Sequence, residues 1–450
     1  MTENATRPLY LDGHMAPVPD EIEAFDLEVT GALPAELTGR YLRNGPNPLP
    51  GEDSGHWFTG HGMLHGVRLR DGRAEWYRNR WVRTRELAGD PYVSPEGVLD
   101  LAANPANTHV IRQGERILAL CEAGLPYEVT PELATVGAVD FAGRLTTAMT
   151  AHPKEDPVTG DLHFFGYSPF PPYLTYHRLT AAGELAESYE VAVPGPTMMH
   201  DFAITEHNAV WLDLPMVFDL ALGGAGLPYR WDDDYGARVG VMPHTGPRAG
   251  QVTWFDVDPA YVFHVGNAHE DAEGRVVLDA MRYTRDAING IWSSIGGTPD
   301  PVADAAANLG ARLHRWTLDP ASGRRTEAPL DDRDAEFPTL NDARIGRASR
   351  YLYAVTGGAI LKYDTGGDGL SATEYAIGEH RDPGEAVFVP AADARAEDEG
   401  WLLSIAGNGD GGSDLLVLDA KDLTFQAAVH LPRRVPSGFH GNWMADPVSG

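Results

Sequence analysis

The sequence predicts an all-β fold, and three observations carry that prediction. Glycine and proline supply 50 and 34 of the 450 residues and punctuate short apolar runs instead of pooling in linkers. Met63–Arg70 and Arg73–Arg80 flank Asp71-Gly72, a dipeptide whose tolerance of positive backbone dihedrals suits a tight hairpin. A weak internal repeat is the third. Asp156-Pro157-Val158-Thr159-Gly160 matches Asp319-Pro320-Ala321-Ser322-Gly323, and His177-Arg178-Leu179-Thr180 resembles His314-Arg315-Trp316-Thr317. Repeated hairpin turns are what propeller blades leave in a sequence, although this repeat is too faint to number them.

Along the chain, Thr108–Arg112 and Arg116–Leu120 flank Gln113-Gly114-Glu115 as a second hairpin. Short β-rich runs follow at near-regular spacing: Asp161–Tyr167, Leu174–Leu179, Ser188–Val193, Phe202–Thr205, Ala209–Leu214, Gln251–Asp256, Arg275–Met281 and Arg312–Leu318. Tyr351–Val355, Ile360–Asp364, Val387–Pro390, Trp401–Ile405, Leu415–Asp419 and Phe425–His430 complete the series. Helical patterns are few: Pro34–Leu37, Pro301–Asn308 and a lip near Leu214–Leu222. No composition shift marks a boundary, so 1–450 reads as one propeller domain. The aromatic and glycine-rich stretch Ser437–Trp443 is expected to be buried, as a late strand closing a blade begun near the start.

Composition excludes several functions. With 35 basic and 65 acidic residues the net charge is −30, which repels nucleic acid and anionic lipid. Met1–Pro19 lacks a basic segment followed by an apolar one, and no run of about 18 apolar residues occurs, so neither export nor membrane spanning is expected. The single cysteine, Cys121, rules out an intrachain disulfide and suits a reducing cytoplasm. Gly-x-Ser-x-Gly, His-Glu-x-x-His, phosphate-loop and Rossmann signatures are missing. Asp232-Asp233-Asp234 reads as a solvated loop.

Four histidines sit inside or at the end of apolar runs: His152 after Ala148–Ala151, His200 in Met198–Thr205, His264 in Tyr261–Val265 and His440 after Phe439. Each alone could be a hydrogen-bonded core residue; the four together suggest one metal site. His56, His61 and His65, spaced five and four apart, form a rival cluster. Glu122, Glu336 and Glu385 interrupt apolar runs, where an ionised carboxylate needs a partner. That partner is either a ligand histidine's second ring N–H or a basic residue in a buried ion pair.

These motifs resemble the carotenoid cleavage oxygenases, and look most like the bacterial carotenoid- and apocarotenoid-cleaving members. The resemblance runs from Gly39–Pro48 through His56–Arg68, Ala151-His152-Pro153, Met198–Phe202, Phe263-His264, Glu336–Pro338 and Glu385–Pro390 to Val435–Trp443. It implies a seven-bladed β-propeller capped by loops and short helices over an axial non-haem Fe(II). By the family pattern His152, His200, His264 and His440 are the ligands. Glu122, Glu336 and Glu385 back the last three of them, and Thr108 crowds one iron position with its methyl. The rival histidine cluster becomes a structural hairpin. Four neutral imidazoles leave six-coordinate iron two open positions.

The activity so implied is O₂-dependent cleavage of one conjugated C=C bond in an apolar polyene, giving two carbonyl products. Stilbene-cleaving relatives carry a lysine where this chain has Cys121, which ranks a stilbenoid substrate second. An inactive propeller serving as a binding module, or an iron enzyme isomerising or hydrolysing a polyene ester, are the other readings. Phe58, Trp81, Phe170, Trp254 and Phe263 are candidates for the tunnel wall, each with core packing as the alternative. Leu214–Leu222, apolar but without flanking Lys or Arg clusters, would support at most weak, reversible membrane contact. The sequence leaves the oligomeric state and the cleaved bond open.

Overall fold

The turn chemistry decides the architecture. In the computed structural model, which describes residues 8–223, 227–298, 310–366, 369–378 and 381–446, glycine sits at positive φ where strands reverse. Asp71 (φ 50°) and Gly72 (φ 73°) form the turn between Met63–Arg70 and Arg73–Trp81. The two Asp-Pro segments are the same turn: Gly160 and Gly323, at φ 71° and 72°, each donate an N–H to the carbonyl of Asp156 or Asp319, both 2.8 Å. They occupy different places, however. One joins the first and second strands of its sheet and the other the third and fourth, so the repeat records turn chemistry and not blade register. His177 and His314 do share a place, both lying in third strands, Leu174–Leu179 and Arg312–Asp319.

Among the described residues, strands form seven antiparallel sheets of four or five strands and one two-stranded ribbon, Met216–Phe218 with Tyr229–Trp231. The chain is a seven-bladed β-propeller. One edge strand of each sheet faces the axis: Gly441–Ala445, His109–Gln113, Lys154–Glu155, Ala203–Ile204, Tyr261–Glu270, Glu336–Thr339 and Val387–Pro390. Apolar side chains between neighbouring blades make the core, with Trp211, Trp316, Tyr176 and Phe165 fully buried.

Two pairings close the ring. Gly441–Ala445 pairs with Gly39–Arg43, so the end of the chain supplies the innermost strand of a blade whose other strands come from the start. Val29–Gly31 adds an outermost strand to the preceding blade by pairing with Ala427–Val429. Buried Arg68 and half-buried Arg40 fix this closure by binding the Asp446 carboxylate, Arg68 Nη1 at 2.8 Å and Arg40 Nη1 at 3.0 Å.

Helix is scarce among the described residues, and of the stretches the sequence pattern offered only the lip carries a helical turn. Pro34–Leu37 is a turn, and Pro301–Asn308 lies outside the described residues. The lip is part strand, Met216–Phe218, and part a single helical turn, Leu220–Leu222. The one α-helix among the described residues, Arg285–Ser294, is capped by Thr284, whose hydroxyl accepts from Ala287 N–H at 3.3 Å. It buries Ala287, Ile288 and Trp292. No described helix is long and apolar enough to cross a membrane.

Candidate metal centre

Each blade brings one polar side chain to the axis, at the end where inner strands begin. His440 immediately precedes Gly441–Ala445, His152 and His200 lie just before Lys154–Glu155 and Ala203–Ile204, and His264 is the fourth residue of Tyr261–Glu270. The other three blades supply carboxylates: Glu336 opens its inner strand, Glu385 lies two residues before Val387–Pro390, and Glu122 follows Arg116–Leu120. Strand ends suit this role because the sheet fixes the backbone while the side chain points clear of the ladder.

The four imidazoles are buried, and one nitrogen from each lies within 4.8 Å of the others. His152 Nε2 is 3.0 Å from His200 Nε2, and ring centroids of adjacent pairs are 4.5 to 5.3 Å apart. His264 Nε2 is buried without a hydrogen-bond partner. Unpaired nitrogens converging on one point cost free energy unless something accepts their lone pairs, which makes the donor set one that could hold a metal ion. All four donors are imidazoles, and among the described residues no carboxylate enters the inner set.

Carboxylates face the opposite ring nitrogens of three histidines. His200 Nδ1 lies 2.5 Å from Glu122 Oε1, His264 Nδ1 2.6 Å from Glu336 Oε2, and His440 Nδ1 2.9 Å from Glu385 Oε1. A carboxylate only accepts, so each fixes the proton on Nδ1 and leaves Nε2 free for a metal. The carboxylates are themselves held, two by tyrosine hydroxyls and one by a backbone N–H. Tyr167 donates to Glu122 Oε2 at 2.7 Å, Tyr283 to Glu336 Oε1 at 2.8 Å, and Gly441 N–H to Glu385 Oε2 at 2.8 Å.

Electrostatics follow from burial and charge. Desolvation, reinforced by neighbouring histidines, drives His152 and His264 well below the usual imidazole range, so both are neutral. At His200 burial acts the same way, but the charge and hydrogen bond of Glu122, helped by Asp201 and Glu336, outweigh it and raise the pKa. Burial lifts Glu336 to about 7, against the pull of Phe337 N–H and Tyr283. Burial also opposes ionisation of Glu385, yet His440, His109 and Gly441 N–H together lower it.

Aromatic rings cover the imidazoles on the side of the connecting loops. The helical turn Trp57–Thr59, whose N–H of Phe58 bonds to His56 Nδ1 at 3.0 Å, brings Phe58 to 6.5 Å from the His200 ring. Phe263 lies 5.1 Å from His200, and Trp292 and Phe439 pack on Phe58 at 5.9 and 5.4 Å. Phe337 stacks on His264 at 5.0 Å, and reaching that position needs a left-handed backbone, φ 52°. Thus Phe58 and Phe263 border the centre, and three other tunnel candidates do not. Trp81 packs with Val18 and Met63 and donates Nε1–H to Asn47 O at 2.9 Å; Trp254 lies beneath Arg238, 4.0 Å from its guanidinium carbon; Phe170 is a surface side chain. Periodicity flags an aromatic residue as buried or not but carries no information on which cavity it lines.

Thr108 is buried beside the centre. Its carbonyl accepts from His440 N–H at 3.2 Å and its hydroxyl donates to Asn107 Oδ1 at 2.9 Å. The rival histidines do not converge. His56 caps the turn just described, His61 lies between Glu86 and Glu52 at 2.8 and 3.1 Å, and His65 bonds Tyr77 Oη at 2.8 Å.

Sequence reading missed several neighbours. His109 lies 5.0 Å from the His440 ring, with Nδ1 committed to Ala151 O at 2.9 Å, and its place in the run Thr108–Ile111 was a usable signal. Tyr167, Tyr283, Trp292 and Phe439 gave none, because nothing local distinguishes them from core aromatics.

The sequence matches the family described as RPE65, retinal pigment epithelial membrane protein, over residues 15–445. A "Carotenoid cleavage oxygenase" of Mycobacterium tuberculosis is 39% identical, the alignment covering 96% of this chain and 97% of the relative. The chain belongs to the carotenoid cleavage oxygenase family. Its fold matches that of other members: lignostilbene dioxygenase of Pseudomonas brassicacearum superposes with a TM-score of 0.84 at 29% identity, covering 97% of this chain and 98% of that one. Cobalt-substituted apocarotenoid oxygenase of Synechocystis gives 0.80 at 28% identity, covering 96% and 97%.

Proposed function

We propose that this family member is a non-haem Fe(II) dioxygenase that cleaves one conjugated C=C bond of a carotenoid or apocarotenoid. The observation that carries the proposal is the convergence of four buried imidazoles, three of them backed by carboxylates. His152, His200, His264 and His440 would hold the metal through Nε2, and Glu122, Glu336 and Glu385 would orient His200, His264 and His440 while offsetting charge without occupying the metal. When bound, a ferrous ion supplies O₂ activation for insertion of one oxygen atom at each carbon of the cleaved bond. Phe58, Phe263, Trp57, Trp292 and Phe439 would exclude water and hold a flat polyene in place. Thr108 would narrow the centre on the His440 side.

The name of the M. tuberculosis relative and the apolar rings favour a polyene. A stilbenoid is the second reading, favoured by likeness to the P. brassicacearum enzyme. Against it, Cys121 is a buried thiol whose pKa burial pushes up to about 12, so it offers no cation to a phenolate. A buried thiol also fits a cytoplasmic setting.

Substrate would be gathered at the loop face. Connections from second to third strands, and from fourth strands to the next inner strand, emerge at the histidine end of the ring. Leu220 and Phe170 lie in the first kind and Val98 in the second, and they are 72%, 54% and 65% exposed. Phe218 is half-buried against Tyr229, so Leu220 is the better candidate for a weak, reversible membrane contact.

The test is incubation of the iron-loaded protein with a carotenoid and apocarotenoid panel under ¹⁸O₂. Expected are about one iron per chain, oxygen uptake and two labelled carbonyl products. Zinc in place of iron with no uptake overturns the proposal, and faster turnover of a phenolic stilbene than of an apocarotenal reverses the substrate order.

A further inference from the structure

A cavity of about 710 Å³ reaches three of the four imidazoles from the side opposite the aromatic rings. Residues of all seven inner strands line it, so it runs along the propeller axis. Gly114, Pro157 and Gly160 also border it, and they belong to turns joining first to second strands, which places its mouth at the face away from the loops. Its inner end is walled by His152, His264 and His440. The unpartnered Nε2 belongs to His264, which is more than nine-tenths buried.

Charged groups on this wall differ in what they already bind. Arg112 donates to the carbonyls of Gly114 and Ala445, at 2.9 and 2.7 Å. Lys154 pairs with Asp201 at 2.8 Å. Glu155 and Asp342 have no ion-pair or side-chain hydrogen-bond partner among the described residues, and both are exposed residues on the cavity wall.

The two sides of the centre therefore differ in what they can pass. A hydrated divalent cation moving between Phe58, Phe263, Trp292 and Phe439 would lose its shell with no oxygen to replace it. Along the axis it meets carboxylates first, inside a protein of net charge −30 whose field concentrates cations in a narrow acidic cleft.

We infer that the axial cavity is the path by which the divalent metal is taken up and released, with Glu155 and Asp342 as the pair that captures it at the mouth. This rests on the reading of the four imidazoles as a metal centre. It also separates two routes through the molecule, since the ion uses the polar axis and the polyene uses the aromatic side.

The test is the rate at which metal-free protein takes up Co²⁺, followed by visible absorption, and the rate at which a chelator withdraws it. With Glu155→Gln/Asp342→Asn, uptake slows about tenfold at low ionic strength, the difference shrinks as salt is added, and one Co²⁺ per chain is still bound at the end. Thr339→Trp, which narrows the cavity at a half-buried wall position, slows uptake and release together. Unchanged uptake in the double variant overturns the inference, as does faster uptake in Phe58→Ala, which opens the aromatic side. Wild-type protein that binds no Co²⁺ overturns the metal centre itself, and the axial path with it.

Discussion

Glu385 gives the most direct test of how the centre is held. Its two oxygens accept from His440 Nδ1–H at 2.9 Å and Gly441 N–H at 2.8 Å, all within the buried axis. Glu385→Gln keeps the shape but leaves one acceptor where there were two, and its amide N–H₂ must face one of those donors. A buried donor without a partner costs about 1–3 kcal/mol, and the His440 ring gains freedom to rotate. Loss of an orienting carboxylate typically weakens metal binding 10- to 100-fold, or about 1.4–2.7 kcal/mol. Competition between the protein and a chelator for Co²⁺, with thermal unfolding of the metal-free protein as the measure of general damage, separates the two effects. The expected result is a 10- to 100-fold weaker affinity that exceeds any loss of metal-free stability. An affinity within about twofold of wild type would refute the argument that the carboxylate positions the imidazole.

Other outcomes follow from the same geometry. His264→Ala should lower Co²⁺ binding at least as far as Glu385→Gln while leaving the β-type circular dichroism spectrum intact; stoichiometric binding by this variant would show that three imidazoles suffice. Asp446→Ala leaves the buried Arg68 guanidinium at the ring closure with only Glu75, 3.5 Å away, and should destabilise the fold by about 1–3 kcal/mol, read as a lower thermal midpoint. Burial holds His56 down at about 3, so it stays neutral in the folded chain while its unfolded counterpart protonates below about 6.5. Its contribution is full above pH 6.5 and is lost as pH falls toward 3, at about 1.4 kcal/mol per pH unit. His56→Asn keeps a cap for Phe58 N–H and should flatten the acid limb of stability by that slope; an unchanged slope refutes the assignment. Leu220→Asp should reduce co-sedimentation with neutral liposomes about tenfold, since burying a leucine in lipid is worth roughly 1.5–3 kcal/mol, and unchanged sedimentation removes this contact.

Local chemistry was legible in the sequence. Asp71-Gly72 and the Asp-Pro-x-x-Gly turns fixed where strands reverse, because positive φ is a property of the residue itself. Apolar runs such as Phe425–His430 gave strands to the residue, and the same runs exposed His152, His200, His264, His440, Glu122, Glu336 and Glu385 as polar groups in apolar surroundings. The helix Arg285–Ser294 escaped notice because it is short and its amphipathic pattern is interrupted by Asn289-Gly290.

What only the tertiary structure decided is which of these polar groups meet. His152 and His440 are 288 residues apart in sequence, yet their rings lie 4.6 Å apart, because the last strand returns to pair with Gly39–Arg43. The division into an aromatic side built from Phe58, Phe263 and Trp292 and a polar axis bearing Glu155 and Asp342 was likewise invisible along the chain. A sequence records how each residue prefers to sit against its own neighbours. A cavity is bounded by side chains from separate blades, and their convergence is set by ring closure, a property of all seven sheets at once.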